Sequence, residues 1–407
     1  MDAKRLVLSL SIAVGLLGSS SASALQEASP GASPMGGPPL PEGCTVIAEG
    51  LVNPRYVAVG DDGAIYVSEA GTGGEETIEM PAAGGDATPV DLDATPVAEE
   101  GMGHAISTRG GTGQVTMIAP DGTQSVIATG LPSYSIGGPE ITGPAGITVD
   151  ANGQILLAVG GAGPLTLMVE ALPNENSVVS IDPATGEVTL LANIDAYERA
   201  NNPDPNIVDS NLFGIDVAED GTIYVNDAGG NTTYSVPAGG GEPVLVAVHP
   251  GIEIPADQAP PGGNPGRGGA NELDPVPTDV LTTADGTVLV SYLSGGPFPP
   301  GASKVVSVAA DGTLADVVTG LTMTVGLAAG PDGQLYVSQI STNFLGEMPE
   351  PGNVVRVLED GTQEVVVGGL MLPNGIAFEE DGSLLIVTGA TSPGEPMGQL
   401  LRCEGIA

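Results

Sequence analysis

The sequence predicts an all-β fold, a six-bladed β-propeller of four-stranded antiparallel blades whose ring closes by pairing the N- and C-terminal strands. Three observations lead to this prediction. Asp-Gly and Asn-Gly turns recur between apolar runs, the hairpins alternate between two types, and one outer hairpin is divided between the two ends of the chain. Self-similar hairpins at this spacing are typical of propellers rather than of a string of domains.

One hairpin type occurs six times and has a tight turn between two apolar runs. Its glycine supplies the positive φ that such turns require. We assign it to the first and second strands of each blade, counted outward from the ring axis. The segments are NPRYVAVGDDGAIYVSEA from Asn53, GPAGITVDANGQILLAVG from Gly143, NLFGIDVAEDGTIYVNDA from Asn211, VPTDVLTTADGTVLVSYL from Val276, MTVGLAAGPDGQLYVSQI from Met323 and LPNGIAFEEDGSLLIVTG from Leu372.

The second hairpin type occurs five times between these segments and supplies third and fourth strands. The sixth copy is missing from the middle of the chain. GQLLRC, ending at Cys403, is similar to GQVTMI at Gly113, and CTVIAEGL from Cys44 is similar to TQSVIATGL at Thr123. The first and last strands are therefore expected to pair and close the ring.

Cys44 and Cys403 are the only cysteines. The alignment places them in neighbouring strands of one blade, so in an exported protein we expect a disulfide between them. Two unpaired thiols remain the alternative.

The expected domain organisation is simple. Residues 1–24 have the pattern of a signal peptide: Lys4 and Arg5, an apolar run over residues 6–17, and the small residues Ala22-Ser23-Ala24. Residues 25–42 read as a flexible tether rich in Pro, Gly and Ser, and residues 43–407 as one propeller with a low-complexity insertion at 80–100. The apolar run is too short to span a bilayer. We expect a secreted monomer with no membrane span.

Composition excludes some partners. The 407 residues include 50 acidic and 9 basic side chains, a formal charge of −41. A nucleic-acid or anionic-membrane surface needs a basic patch, which this acidic protein lacks. The 63 glycines and 36 prolines would suggest disorder, but 41% of the residues are hydrophobic, as expected for turns between buried strands.

Long connections are expected at one end of the ring only. Neighbouring strands are antiparallel, so the Asp-Gly turns share one end, while second-to-third and blade-to-blade connections share the other. Loops on a rigid scaffold commonly bind ligands, which makes this loop-bearing end the candidate functional face. Its long connections are residues 71–112, 132–142, 161–175, 195–210, 249–275, 294–302 and 341–351.

Four stretches resemble the ScyD/ScyE family of secreted six-bladed propellers, which is similar in architecture to NHL-type and TolB-like propellers. They are NPRYVAVGDDGAIYVSEAGTGG, DAYERANNPDPNIVDSNLFG, IYVNDAGGN and VSYLSGGPFPPGASKVVSV. The resemblance covers essentially all of the chain after the tether, and residues 80–100 depart from it. It implies the fold and export rather than an activity or a set of catalytic residues.

Six-bladed propellers that resemble calcium-dependent lactonases and phosphotriesterases hold an axial metal with Glu, Asn and Asp at the starts of the innermost strands. The six equivalent positions form what we call the inner-strand column. They are Arg55, Ala145, Phe213, Thr278, Val325 and Asn374. Only Asn374 suits a metal, so we do not expect an intact axial calcium site.

The second strands end near this column with further polar residues, which predicts a polar ring at the loop-bearing mouth of the channel. A simpler interpretation of Arg55 is an ion pair with Glu69 across its own hairpin. The predicted ligand-binding residues at the mouth are Arg55, Glu69, Asp227, Tyr292, Gln339 and Asn374.

Other chemistry-bearing motifs are scarce. The chain has two histidines, His104 and His249, and no nucleophile elbow, P-loop or zinc-binding spacing. No cofactor is required by these patterns. The oxygen-rich stretch 201–211 could hold a peripheral Ca²⁺, although the same residue types also cap turns without metal. Its candidate ligands are Asn202, Asp204, Asp209 and Asn211.

Two functions therefore stay open. The first is an exported recognition module whose loop-bearing face binds an unidentified small molecule, glycan or protein. The alternative is a hydrolase or lyase of the calcium-dependent lactonase or phosphotriesterase type, using carboxylates at the channel mouth. The missing nucleophile and the interrupted metal column favour the first, and the fold alone decides neither.

Overall fold

The structure is a computed structural model that describes residues 40–78, 107–136, 140–161, 169–205, 209–256, 263–264, 267–345, 349–390 and 397–407. The predicted signal peptide and the insertion at 80–100 lie outside these residues, as do His104 and most of the predicted tether.

The described chain starts the ring with β1 (Cys44–Leu51), which becomes the outermost strand of the last blade. Blade 1 follows and is the most elaborate, because two short strands extend its sheet at the loop-bearing end. Its strands are β2 (Pro54–Val59), β3 (Ile65–Glu69), β4 (Glu76–Ile78), β5 (Ser107–Ile118), β6 (Gln124–Ile136) and β7 (Glu140–Thr142).

Blades 2 and 3 each have four strands, and the described helix α1 (Ile194–Asn201) connects them. Asn193 caps α1, since its side-chain oxygen accepts from the backbone N–H of Ala196. Blade 2 contains β8 (Pro144–Val149), β9 (Ile155–Val159), β10 (Ser177–Ile181) and β11 (Val188–Asn193), and blade 3 contains β12 (Leu212–Val217), β13 (Ile223–Asp227), β14 (Thr232–Val236) and β15 (Val244–Val248).

A small hairpin of β16 (Ile252–Glu253) and β17 (Glu272–Leu273) precedes blade 4. Blade 4 contains β18 (Pro277–Thr282), β19 (Val288–Tyr292), β20 (Ser303–Val308) and β21 (Leu314–Leu321), and blade 5 contains β22 (Thr324–Ala329), β23 (Leu335–Gln339), β24 (Gly352–Val357) and β25 (Gln363–Leu370). Blade 6 contains β26 (Ile376–Phe378), β27 (Leu384–Thr388), β28 (Gly398–Cys403) and β1.

The ring closure confirms the sequence prediction. β1 pairs antiparallel with β28, and Cys44 lies opposite Cys403 in the register. The two residues form a disulfide that joins positions 359 residues apart. The six blades, their strand order and the closure are those expected from the hairpin alignment.

The Asp-Gly turns share one hydrogen-bonding pattern. In the first, Gly63 has φ 77°, and the Asp62 carboxylate accepts from the N–H of Ala64 at 3.0 Å. The turn at Asp360 repeats this bond to Thr362 at 2.9 Å. Each aspartate satisfies a backbone donor that the turn would leave unpaired, so the end of the ring opposite the loops is closed by short self-contained turns.

The innermost strands lie close together around the axis. A Cβ on Gly214 would lie 2.4 Å from the carbonyl oxygen of Thr278, and one on Gly375 would lie 2.6 Å from the Cα of Tyr56. These distances are too short for a side chain, so the inner strands of neighbouring blades are in backbone contact there. The channel between the inner strands is therefore narrow at these positions.

Candidate binding site at the loop-bearing end

Side chains from alternate blades fill the ring axis. The rings of Tyr56 and Phe213 meet edge to face with centroids 5.7 Å apart. The Tyr56 hydroxyl donates to the carbonyl oxygen of Val325 at 2.5 Å. Tyr56, Ala145, Phe213 and Val325 belong to one apolar cluster. Three members of the inner-strand column, Ala145, Phe213 and Val325, are thus apolar and buried together.

Arg55 belongs to the same column but reaches toward the loops. Its Nη2 donates to the carbonyl oxygen of Ile141 in β7, and 7% of the residue is accessible. Among the described residues this is its one side-chain hydrogen bond. Burial lowers the pKa of Arg55 to about 10, and the nearby Glu140 carboxylate partly opposes that effect. The guanidinium remains charged at neutral pH with much of its donor capacity unused.

The expected ion pair between Arg55 and Glu69 does not form. Glu69 accepts instead from the backbone N–H of Val52 at 2.5 Å, from Gln114 at 3.0 Å and from the hydroxyl of Thr116. These bonds hold the segment before β2 and the neighbouring strand β5. The carboxylate is fully buried in its own blade, so Arg55 has to find its counter-charge elsewhere.

The carboxyl group that lies near Arg55 is that of Glu140, which the sequence analysis did not single out. It is 8% exposed, and its carboxylate accepts no hydrogen bond from the described residues. Burial raises the pKa of Glu140; Arg55 lowers it and Asp209 raises it further. Glu140 lies near Arg55 without forming an ion pair with it. The available signal was its position in the 132–142 connection, immediately before the inner strand of blade 2.

Asn374 is another polar member of the column, and its backbone lies beside that of Arg55, since the N–H of Gly375 donates to the Arg55 carbonyl oxygen at 2.8 Å. The side chain is fully buried, and neither its amide nitrogen nor its amide oxygen has a hydrogen-bond partner in the described part of the chain. A buried polar group in this state costs about 1 to 3 kcal/mol. Such a cost is unusual in a native protein and often marks a functional site.

The Asp227 carboxylate, by contrast, is held by hydrogen bonds within its own blade. It accepts from the hydroxyl of Ser210 at 2.6 Å, from the N–H of Asn211 at 2.7 Å and from the N–H of Gly230 at 2.9 Å. Burial raises its pKa while these bonds lower it. The carboxylate fastens the loop before β12 to the end of β13.

Gln339 has the same role in blade 5. Its oxygen accepts from the N–H of Thr322 at 2.6 Å, and its nitrogen donates to Asn353 at 2.7 Å. Glu69, Asp227 and Gln339 each end a second strand and each bind the segment that leads into their own inner strand. We call these three residues the anchor set.

Tyr292 ends the second strand of blade 4 and contacts His249. Their side chains lie 2.7 Å apart, and the other ring nitrogen of His249 lies 2.7 Å from the hydroxyl of Thr233. Since Thr233 donates to Asn226, the tautomer that fits carries its proton on Nε2 and accepts from Tyr292 on Nδ1. Burial lowers the pKa of His249 to about 3, which keeps the ring neutral.

The six predicted mouth residues therefore do not form one ring. Arg55 and Asn374 lie side by side in the column, whereas Glu69, Asp227, Tyr292 and Gln339 bind within or between blades. Each of the six is at most 7% exposed. Four of them end second strands, whereas Arg55 and Asn374 lie at the start of an inner strand or just before it.

Two of the four candidate calcium ligands in the 201–211 stretch, Asn202 and Asp204, have protein partners, and Asp209 is buried. Asn202 is the C-cap of α1. Asp204 pairs with Arg267 at 3.4 Å and accepts from Asn231 at 3.2 Å, while the N–H of Asn211 donates to Asp227. Across the described ranges, no group of three or more His, Cys, Asp or Glu side chains has a metal-binding arrangement. Arg267 supplies a positive charge beside Asp204, where the calcium hypothesis placed the cation.

Comparisons with known proteins support the fold. No family model and no curated protein matches the chain. A protein of unknown function from Bacteroides thetaiotaomicron has a TM-score of 0.50 at 11% identity over 87% of this chain and 70% of that one.

Two other solved structures are similar over most of their length. A virginiamycin B lyase from Staphylococcus aureus has a TM-score of 0.45 at 12% identity, covering 88% of this chain and 98% of that one. A candidate oxidoreductase (glucose dehydrogenase) from Thermus thermophilus has a TM-score of 0.49 at 14% identity, covering 88% and 98%. At these identities, activity cannot be transferred from fold. Within the described residues, no helix combines the length and apolar character needed to cross a bilayer.

Proposed function

We propose that the chain is an exported recognition module that binds a small polar ligand at the loop-bearing mouth of the propeller. The signal-peptide pattern of residues 1–24 and the ring-closing disulfide support export. The four loop stretches that resemble the ScyD/ScyE family support membership of that family of secreted propellers.

One observation carries the binding proposal. Arg55 and Asn374 lie side by side in buried positions with unused hydrogen-bonding capacity, and Glu140 lies near them without a hydrogen bond. Native proteins rarely leave buried polar groups unpaired, because the desolvation cost is not recovered. A ligand that bonds to these groups recovers it. Phe213 and Val325, at equivalent positions in other blades, are apolar and offer a ligand no hydrogen-bonding side chain.

A hydrolase or lyase is the second candidate, and Glu140 is the observation that favours it. Burial raises the pKa of this carboxyl group beside a guanidinium, an arrangement that suits a general acid or base. Against it, four of the six column positions offer no side-chain oxygen to a metal, and the sequence contains no nucleophile elbow. We place binding first for that reason.

Hydrogen exchange of the exported chain tests the location. The probes are a panel of small carboxylates, amino acids, hexoses and uronates, added one at a time. At least one probe should slow exchange at the N–H groups of residues 52–56, 140–146 or 373–376. Protection confined to an outermost strand such as β25, with the mouth unaltered, would show that recognition uses a blade edge instead.

The enzymatic candidate has its own test. Lactone and phosphotriester substrates are offered with and without added calcium, followed by a chelator. We expect no hydrolysis above the rate in buffer. Glu187→Gln is an exposed control. Turnover that disappears in Glu140→Gln but persists in Glu187→Gln would show that the protein is an enzyme rather than a binding module.

A further inference from the structure

The charges at the mouth restrict what the ligand can be. One guanidinium, that of Arg55, lies near Glu140 and donates to the carbonyl oxygen of the adjacent Ile141, and Asp209 lies close enough to raise the pKa of Glu140. No other cationic side chain influences either group among the described residues. A ligand that brings one negative charge is balanced by Arg55. A ligand that brings two meets the repulsion of the neighbouring carboxyl groups as well.

Hydrogen-bond geometry narrows the choice further. The planar guanidinium fork matches a carboxylate, which can accept two parallel N–H bonds. A phosphate monoester carries close to two negative charges at neutral pH and fits this single cation less well. Asn374 adds a donor and an acceptor beside Arg55, and both are unused.

Glu140 specifies the second feature of the ligand. Its carboxyl group has no hydrogen bond within the described residues, yet it lies near the guanidinium. A hydroxyl group on the ligand can hydrogen-bond to this carboxyl in either protonation state, since a hydroxyl both donates and accepts.

Building on the proposed function, we infer that the ligand is a small hydroxycarboxylate, held by its carboxylate on Arg55 and Asn374 and by its hydroxyl on Glu140. The chemistry is shared by free hydroxy acids and by the uronate end of a glycan. Binding involves no covalent step.

Isothermal titration of the exported chain tests each half of the inference. The probes are L-lactate, propionate, lactamide, inorganic phosphate and D-glucuronate. Lactate should bind with a dissociation constant on the order of 1 mM, as expected for so few atoms. Lactamide, which lacks the charge, and propionate, which lacks the hydroxyl, should each bind about tenfold more weakly. Tighter binding of glucuronate than of lactate identifies a glycan end as the source, and the reverse identifies a free hydroxy acid.

Variants locate the contact. Arg55→Lys keeps the charge but loses the planar fork and should weaken lactate binding about tenfold. Glu140→Gln should reduce the preference for lactate over propionate. Arg109→Lys is the matched control, because Arg109 is also 7% exposed but bonds to Glu76 and to the carbonyl oxygen of Glu170 rather than to Ile141. It should bind lactate as the wild type does.

The failures of the two proposals are distinguishable. Equal binding of lactate and lactamide, a preference for phosphate, or lactate binding unchanged in Arg55→Lys overturns the hydroxycarboxylate inference. If a neutral probe then protects the mouth in hydrogen exchange, the proposed function stands without it. If none of the probes protects the mouth, both the hydroxycarboxylate inference and the proposed function are wrong.

Discussion

The loop-bearing end holds two sets of buried polar residues that differ in their hydrogen bonding. The anchor set, Glu69, Asp227 and Gln339, uses its side chains to bind the chain that leads into each inner strand. The mouth set, which we define as Arg55, Glu140 and Asn374, is buried to a similar extent but leaves most of its capacity unused.

The difference assigns a role to each set. A buried polar group whose bonds are made within the protein stabilises the fold, and its removal leaves partners unpaired. A buried polar group without such bonds lowers stability until something binds it. Mutation should therefore affect mainly folding in the anchor set and mainly binding in the mouth set.

Asp227→Ala should produce the largest loss of stability. It leaves two backbone N–H groups and the Ser210 hydroxyl without their acceptor in a fully buried position. We expect a loss of about 3 to 5 kcal/mol in the free energy of unfolding. Urea denaturation followed by circular dichroism measures it. Asp227→Asn, which keeps one acceptor oxygen, should lose less; equal losses would mean that volume rather than hydrogen bonding matters.

Gln339→Ala should also lower the free energy of unfolding, but by less than Asp227→Ala. It removes one bond to a backbone N–H and one to Asn353, both between neutral groups. The expected loss is about 2 kcal/mol. Gln339→Glu keeps the acceptor for Thr322 but not the donor for Asn353. Its unfolding free energy should lie between those of the wild type and Gln339→Ala. A Gln339→Ala variant as stable as the wild type would remove Gln339 from the anchor set.

These expectations depend on side-chain direction, which the sequence did not contain. The hairpin repeat located every blade and the ring closure, because alternation and turn glycines are local signals. It also placed Glu69 and Asp227 correctly at the ends of second strands. Whether a carboxylate at that position faces the axis or turns back to its own loop depends on which N–H groups that loop leaves unpaired, and this is set by tertiary structure.

The mouth set shows the same limit of sequence-based prediction. Arg55 and Asn374 could be named from the repeat, since both occupy the column that begins each inner strand. Glu140 lies in an irregular connection with no counterpart in the other blades, so no repeat could align it. Its proximity to Arg55 results from the extra strand β7, which carries the connection across the sheet of blade 1.

The pH dependence of stability involves one carboxyl group from each set, Glu69 from the anchor set and Glu140 from the mouth set. Burial raises the pKa of both Glu69 and Glu140, so each favours folding most below its ordinary pKa and loses this contribution as pH rises through its folded value. Glu198, with its pKa raised to about 8, adds to the same trend. The melting temperature should therefore fall from pH 5 to pH 9.

Two isosteric variants separate the sets within that trend. Glu140→Gln removes a buried charge that makes no hydrogen bond among the described residues, so it should raise the melting temperature at pH 9 and flatten the profile. Glu69→Gln weakens bonds to Val52, Gln114 and Thr116 and should lower the melting temperature at pH 5. Thermal denaturation at both pH values measures this, and identical profiles for the two variants would contradict the division.

Arg55→Met should have the smallest effect on stability. The substitution removes a guanidinium that burial disfavours and that bonds only to the carbonyl oxygen of Ile141 among the described residues, while methionine retains much of the apolar volume. Glu140 can then take up a proton, which avoids an isolated buried charge. The change in unfolding free energy should be within about 1 kcal/mol of zero, whereas lactate binding should be lost. Denaturation and titration of the same preparation measure both quantities. A loss of stability comparable to that of Asp227→Ala would place Arg55 among the anchors, and the proposed ligand would then have lost its principal contact.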